Sequence, residues 1–165
     1  MTCERCRRPM RARRSTAHAP YRYLESGLRG VDLIGVTIST CPACGEEVVS
    51  IPKLGQLHQA IAGALLTKPG PLAGDEIRFL RKNAGIAASR FAELLGIDPA
   101  HLSRAEHGKR ELGAPTERLA RAVIAAAMKR ADIPAILLAP AAKSKRARER
   151  LPMFVMRGDA WRQAA

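Results

Sequence analysis

The sequence predicts an α+β chain: a small N-terminal β domain with one helix, followed by an all-α helix-turn-helix domain. Three observations predict it. The cysteines fall near the start of the chain as two pairs, Cys3-x-x-Cys6 and Cys41-x-x-Cys44. Between and just after these pairs, short runs rich in β-branched and aromatic residues alternate as strands do. Beyond residue 74, apolar residues recur at helical spacing in short segments separated by Gly-containing turns.

The two Cys-x-x-Cys pairs bracket a segment too short to bury a sizeable core, and they read as one tetrahedral site with Cys3, Cys6, Cys41 and Cys44 as thiolate ligands. A two-residue spacer lets both thiolates of a tight turn reach one ion about 2.3 Å away, and a second turn completes the tetrahedron. In Cys41-Pro42-Ala43-Cys44-Gly45, Pro42 presets a turn φ and Gly45 accepts a left-handed conformation. Zn2+ is the expected ion, one per chain; spacing alone does not separate it from an iron–sulfur centre. Four thiolates leave no open coordination position, so the zinc is expected to be structural. Disulfides are disfavoured because Met1 is followed by no apolar secretory segment. A thioredoxin-type site would need a single pair in a βαβ setting.

With 165 residues there is room for one ordinary domain or two small ones. The formal charge of +13 and pI near 10.6 point to a polyanion, most often nucleic acid. Residues 1–14 carry six arginines against Glu4, residues 15–74 are balanced, and the rest of the excess lies beyond residue 74. No run approaches the roughly 18 apolar residues of a membrane span, so the expectation is a cytoplasmic protein without a membrane partner.

Element by element, 21–25 reads as a short strand, 26–30 as a turn, 31–38 as a strand delivering the chain to Cys41, and 47–51 as a third strand. Such a sheet is too small to stand alone, so metal binding is expected to contribute to its folding. After Pro52, Leu54, Leu57, Ile61, Ala64 and Leu65 mark a helix, closing a zinc-binding domain over 1–66. Two prolines and two glycines in 67–74 read as a linker or hinge. The helix-turn-helix domain, 75–131, has helices over 75–84 and 87–95, a Gly96-Ile97-Asp98 turn, a helix over 99–106 with Asp98 as N-cap and Pro99 as first residue, and a fourth from Thr116. The short turn presents the helix after it outward. Residues 132–165 read as a basic, partly disordered tail, interrupted by Pro134 and Pro140 and carrying a basic run over 143–150; 151–162 hint at a docking segment.

Taken in order, Cys3-x-x-Cys6, Cys41-Pro-Ala-Cys44-Gly-Glu, Ile51-Pro52, Glu76-Ile-Arg-Phe-Leu-Arg-Lys82, Phe91-Ala-Glu-Leu-Leu-Gly96 and Leu102-Ser-Arg-Ala-Glu106-His-Gly108 resemble the MqsA-type antitoxins over about residues 1–125. That family joins an N-terminal zinc domain to a helix-turn-helix of the phage-repressor type. The resemblance implies the antitoxin of a type II toxin–antitoxin system: a homodimer that represses its own operon at a palindromic operator and binds a toxin through its zinc domain. A two-fold dimer would present two recognition helices about 34 Å apart, one DNA turn.

The same resemblance assigns roles. Residues 98–106 align with the recognition helix, where Arg104 is expected to place a fork on guanine or, failing that, on phosphate. His101 and Ser103 flank it as base or phosphate contacts, with a solvent-facing role open for His101. Ala100 stands where the family can carry Asn, and reaches only a thymine methyl. Ala88 replaces the usual Gln at the opening of the preceding helix, leaving Ser89 and Arg90 to take the phosphate clamp and giving DNA shape more of the specificity. Lys109 and Arg110 are expected on phosphate. Arg81 and Glu106 are expected to pair and fix the recognition helix, whereas Arg118 and Arg121 read as a solvated face. Two further functions stay open: a stand-alone zinc-containing helix-turn-helix regulator, and a zinc-ribbon RNA- or ribosome-associated protein favoured by the basic ends. Enzymatic function is not expected, since no phosphate loop, paired carboxylates or nucleophile-with-base set is visible, and His18, His58, His101 and His107 form no ligand cluster in sequence.

Overall fold

The first ten residues double back on themselves because the Cys3–Cys6 turn closes with Cys3 N–H donating to the Arg8 carbonyl and Arg7 N–H to the Cys3 carbonyl, both at 2.9 Å. The structure is a computed structural model that describes residues 1–138 and 151–164. The turn feeds strand β1 (Arg11–Arg14), which pairs antiparallel with β4 (Thr37–Thr40), Arg11 opposite Thr40 and Arg14 opposite Thr37. Strand β5 (Glu47–Ser50) lies on the other side of β4, and the connection between them is the Cys41–Cys44 turn. Four consecutive basic or small residues gave no strand signal at 11–14. The edge of β4 recruits them regardless of side-chain type, through backbone hydrogen bonds.

The 31–38 segment, expected as one strand, is two. Gly35, at φ 88°, breaks it into β3 (Asp32–Ile34) and β4, and the halves join different sheets. Strand β2 (Tyr21–Arg22) pairs with β3 in a second sheet, ordered β2-β3-β6-β7. The last two strands, β6 (Phe154–Arg157) and β7 (Ala160–Gln163), form a hairpin whose first strand runs parallel to β3, Phe154 opposite Leu33. This corrects the expectation for the end of the chain. The α+β class stands, but strands follow the last helix, so the order is not a β domain followed by an all-α one. Phe154 is fully buried and Trp161 nearly so, its indole N–H donating to the Pro52 carbonyl at 2.8 Å. The residues that hinted at docking therefore dock within the chain itself. The basic run over 143–150 and Pro140 lie outside the described residues. Pro134 sits in the first turn of helix α6 (Ile133–Leu138), where its missing N–H is tolerated.

The chain divides into two compact units. One, the strand unit, comprises Met1–Tyr23, Gly30–Ala60 and Pro152–Ala165. Its core is Val31, Leu33, Val36, Ile38, Leu57 and Phe154, all without exposed surface. The other, the helical unit, comprises Leu24–Arg29 and Ile61–Leu151. The division falls inside helix α1 (Leu54–Thr67) rather than at the expected linker.

In the helical unit, α2 (Gly74–Asn83), α3 (Ala88–Leu95), α4 (Pro99–Glu106) and α5 (Ala114–Ala127) bury Leu80, Phe91, Leu102 and Ile124 completely. Of the expected 67–74 linker, 68–73 is non-helical, as its prolines and glycine dictate, but it is tied down. Arg121, expected on a solvated face, is buried instead. Its guanidinium donates to the carbonyls of Leu65, Leu66, Lys68 and Gly70 at 2.7–3.2 Å, satisfying groups that the end of α1 leaves without helical partners. Glu117 orients it and also accepts from the Leu72 N–H. Buried Glu76 accepts from Lys68 Nζ and from the Ala73 N–H, each at 2.7 Å. No helix among the described residues is long and apolar enough to cross a membrane.

Candidate metal centre and helix-turn-helix

Two turns of near-identical geometry build the metal centre. In each, the first cysteine's N–H donates to the carbonyl five residues on (Cys3 to Arg8, Cys41 to Glu46), and the residue after the second cysteine donates back (Arg7 to Cys3, Gly45 to Cys41). That returning residue must be left-handed: φ is 61° at Arg7 and 74° at Gly45. Pairing of β1 with β4 brings the turns together, and the four Sγ atoms lie within 4.8 Å of one another. Cys3 and Cys44 sulfurs are 3.6 Å apart and those of Cys6 and Cys41 3.4 Å. Sulfurs tetrahedrally placed about 2.3 Å from one ion would be separated by about 3.8 Å, so the group is near the size a thiolate-bound metal requires. All four thiols are free, far beyond a disulfide bond length. Cys3 and Cys41 are buried, Cys6 and Cys44 half-buried.

Backbone dipoles prepare these ligands unequally. The N–H groups of Ala43 and Cys44 aim at the Cys41 sulfur and bring its pKa down to about 6, against the opposing effect of burial. The Arg8 N–H pulls Cys6 the same way but is outweighed: the hydrogen bond with the Cys41 sulfur and burial push its thiol up to about 12. Cys41 is thus the thiol most ready to act as a thiolate, and Cys6 gives up its proton to a cation that replaces it. The four cysteines form a group able to hold a metal ion.

In the helical unit, α3 and α4 are joined by Gly96-Ile97-Asp98. Gly96 ends α3 at φ 64°, with its N–H on the Glu93 carbonyl and the Ile97 N–H on that of Ala92. Asp98 Oδ1 caps α4, accepting from the N–H groups of Ala100 and His101 at 2.8 and 3.3 Å, and Pro99 takes the first helical position. Leu102, Ala105 and Glu106 face inward; Ala100, Ser103 and Arg104 are exposed. Arg81 of α2 meets Glu106 in a two-pronged fork, Nε to Oε1 at 2.6 Å and Nη2 to Oε2 at 2.9 Å, with both residues over nine-tenths buried. Its third nitrogen donates to the Ile86 carbonyl, so one guanidinium ties α2, α4 and the turn before α3 together. Packing of α2 on α4 is also close at Gly74: a Cβ there would run into the Ala105 carbonyl and come within 2.7 Å of the Gly108 nitrogen.

Among the sequence-derived contact residues, Ser89 and Arg90 are exposed at the start of α3, with Arg90 on Glu93 at 2.8 Å. Lys109 and Arg110 are exposed just past Gly108, itself left-handed at φ 69°. Arg104, Lys109 and Arg110 have no acidic partner among the described residues. His101 differs from its neighbours. It is half-buried, and its Nε2 is shut off from solvent without a hydrogen-bond partner. Sequence reasoning missed Arg121, Glu117, Lys68 and Glu76. The signal for them was the run of unpaired carbonyls expected after a helix that stops before a Pro–Gly-rich segment.

No protein-family model matches the chain, and no curated protein matches it.

Proposed function

We propose that the protein is a sequence-specific repressor that binds duplex DNA through α3 and α4 and carries one structural zinc ion on Cys3, Cys6, Cys41 and Cys44. The reading rests on one observation above all. The inward face of α4 is fixed by the Arg81–Glu106 fork, while its outward face offers Ala100, Ser103 and Arg104, and Arg104 has no acidic partner among the described residues. A rigid helix after a three-residue turn, exposing small residues and one unpaired guanidinium, suits insertion in a major groove, and Arg104 suits a guanine edge. Lys109, Arg110, Ser89 and Arg90 flank that face as phosphate contacts. The soft four-sulfur donor set suits zinc, with no open position for catalysis, and the protein acts by binding rather than by chemistry.

With the MqsA-type resemblance, the reading extends to a cytoplasmic antitoxin. It would bind a palindromic operator as a homodimer and hold a toxin through the metal-bearing unit. The experiment for DNA is Arg104→Ala, compared with the unmodified chain on the operator and on a scrambled duplex. Loss of discrimination is the expected outcome; a changed salt slope with discrimination intact would make Arg104 a phosphate contact. For the toxin, the protein encoded beside this one is co-expressed and copurified. Failure to copurify leaves the stand-alone regulator.

A further inference from the structure

The arginines around the first cysteine turn have no part in the function proposed above. Arg5, Arg7, Arg8, Arg11, Arg13 and Arg14 are all exposed. Arg5 lies 3.9 Å from Glu46, and Arg14 donates to the Gly35 carbonyl. The other four have no acidic partner among the described residues. We infer that Arg7, Arg8, Arg11 and Arg13 form a second phosphate-binding surface, on the metal-bearing strand unit, for the backbone of duplex DNA; the inference rests on the reading that the chain binds duplex DNA.

Three observations carry it. First, every basic residue of this segment is arginine, although the chain uses lysine elsewhere. A guanidinium matches the fork geometry of phosphate oxygens, which an ammonium does not. Second, the two cysteine turns are built alike, yet at the left-handed position the second has glycine and the first has Arg7. A side chain there costs about 1 kcal/mol, so the fold bears a penalty to keep a charge where glycine would sit without strain. Third, β1 is the edge strand of its sheet, and Arg11 and Arg13 project from the same face about 6.8 Å apart. Uncompensated guanidinium groups this close repel one another until a polyanion neutralises them. The segment contains no aromatic side chain. Single-stranded nucleic acid is gripped largely by stacking on such rings, so the surface suits a duplex read through its backbone alone.

The test uses the full, metal-loaded chain and a short duplex of scrambled sequence, with affinity measured across a salt series. Four phosphate contacts contribute about 3.6 to the slope of log affinity against log salt. The combined Arg7→Gln, Arg8→Gln, Arg11→Gln, Arg13→Gln variant is expected to lose most of that slope while keeping its metal. An unchanged slope overturns the surface. So does tighter binding to single-stranded RNA than to duplex, lost in the same variant, since that assigns the arginines to RNA. Arg104→Ala, Lys109→Ala, Arg110→Ala serves as the second arm. If this triple lowers the slope and the quadruple does not, the surface inference fails while the proposed function stands. If only the quadruple lowers it, the helix-turn-helix reading fails while the surface survives. Should the quadruple not retain metal, phenylglyoxal labelling of the unmodified chain decides: duplex is expected to protect Arg7, Arg8, Arg11 and Arg13, and labelling unaffected by DNA overturns the inference.

Discussion

The strand unit arranges short strands around Val31, Leu33, Ile38 and Phe154 and gathers four thiols at one end, whereas the helical unit threads charged side chains through a larger apolar core. In the first, the fixed points are sulfurs from two turns at the same end of a β-sheet. In the second they are guanidinium groups, Arg81 on Glu106 and Arg121 on a row of carbonyls. A thiol cluster acquires its ordering power from an ion and is sensitive to chelators. A buried fork is complete within the chain and sensitive to the loss of either partner. The difference teaches where each unit is vulnerable.

The largest effect is expected from the metal. Structural zinc contributes about 10–16 kcal/mol of apparent binding free energy in small metal domains. Cys41→Ser, or chelation, should therefore unfold the strand unit while α2–α5 keep their amide signals in a two-dimensional NMR spectrum. Simultaneous loss of both sets of signals would break the comparison. Next is the fork. Glu106→Ala leaves a buried guanidinium unpaired and should destabilise the helical unit by about 3–5 kcal/mol in urea unfolding, with metal content unchanged. Replacing both partners together, as Arg81→Met with Glu106→Leu, should recover most of the loss; no recovery would mean that the hydrogen bond to Ile86, rather than the charge pair, is what matters.

Phe154→Ala should cost about 3 kcal/mol and weaken metal retention, because it empties the core beside β3. A helical unit that loses stability instead would assign the hairpin wrongly. The smallest effect is acid sensitivity at His58 of α1, which shares a hydrogen bond of 2.9 Å with the Tyr23 hydroxyl and stacks on its ring. Burial holds His58 below its ordinary value of 6.5. The unfolded chain therefore takes up this proton more readily than the folded one, and stability present above pH 6.5 declines as pH falls below it. With metal saturating, His58→Phe should flatten that part of the pH profile relative to the unmodified chain.

Much of this was legible in the sequence. Cysteine spacing announced the metal group because two-residue spacers serve few other geometries, and Asp98-Pro99 marked the start of α4 because cap and first-turn preferences are local. The Arg81 and Glu106 side chains do meet, but only the family resemblance suggested the partnership, since nothing local links α2 to the end of α4. What escaped reading was non-local. The Arg11–Arg14 segment becomes a strand because β4 offers an unpaired edge, not because arginine favours extension. Phe154 and Trp161 hint at docking without naming their seat, because their neighbours, Leu33 and Pro52, are more than a hundred residues away in sequence. The composition of 67–74 reads as a linker or hinge, and composition says nothing of a guanidinium arriving from α5 to hold the carbonyls around it.

The parallel pairing of β3 with β6 also sets an order of events in the cell. A ribosome finishes Asp32–Ile34 long before it makes Phe154–Arg157, so the nascent strand unit spends much of synthesis with β3 unpaired on that side. The cysteine turns, which need only residues up to Ser50, can capture their ion during that interval. A metal taken up early would fix β1 on β4 before the hairpin exists, and the hairpin would then add to β3 beside a sheet already in register.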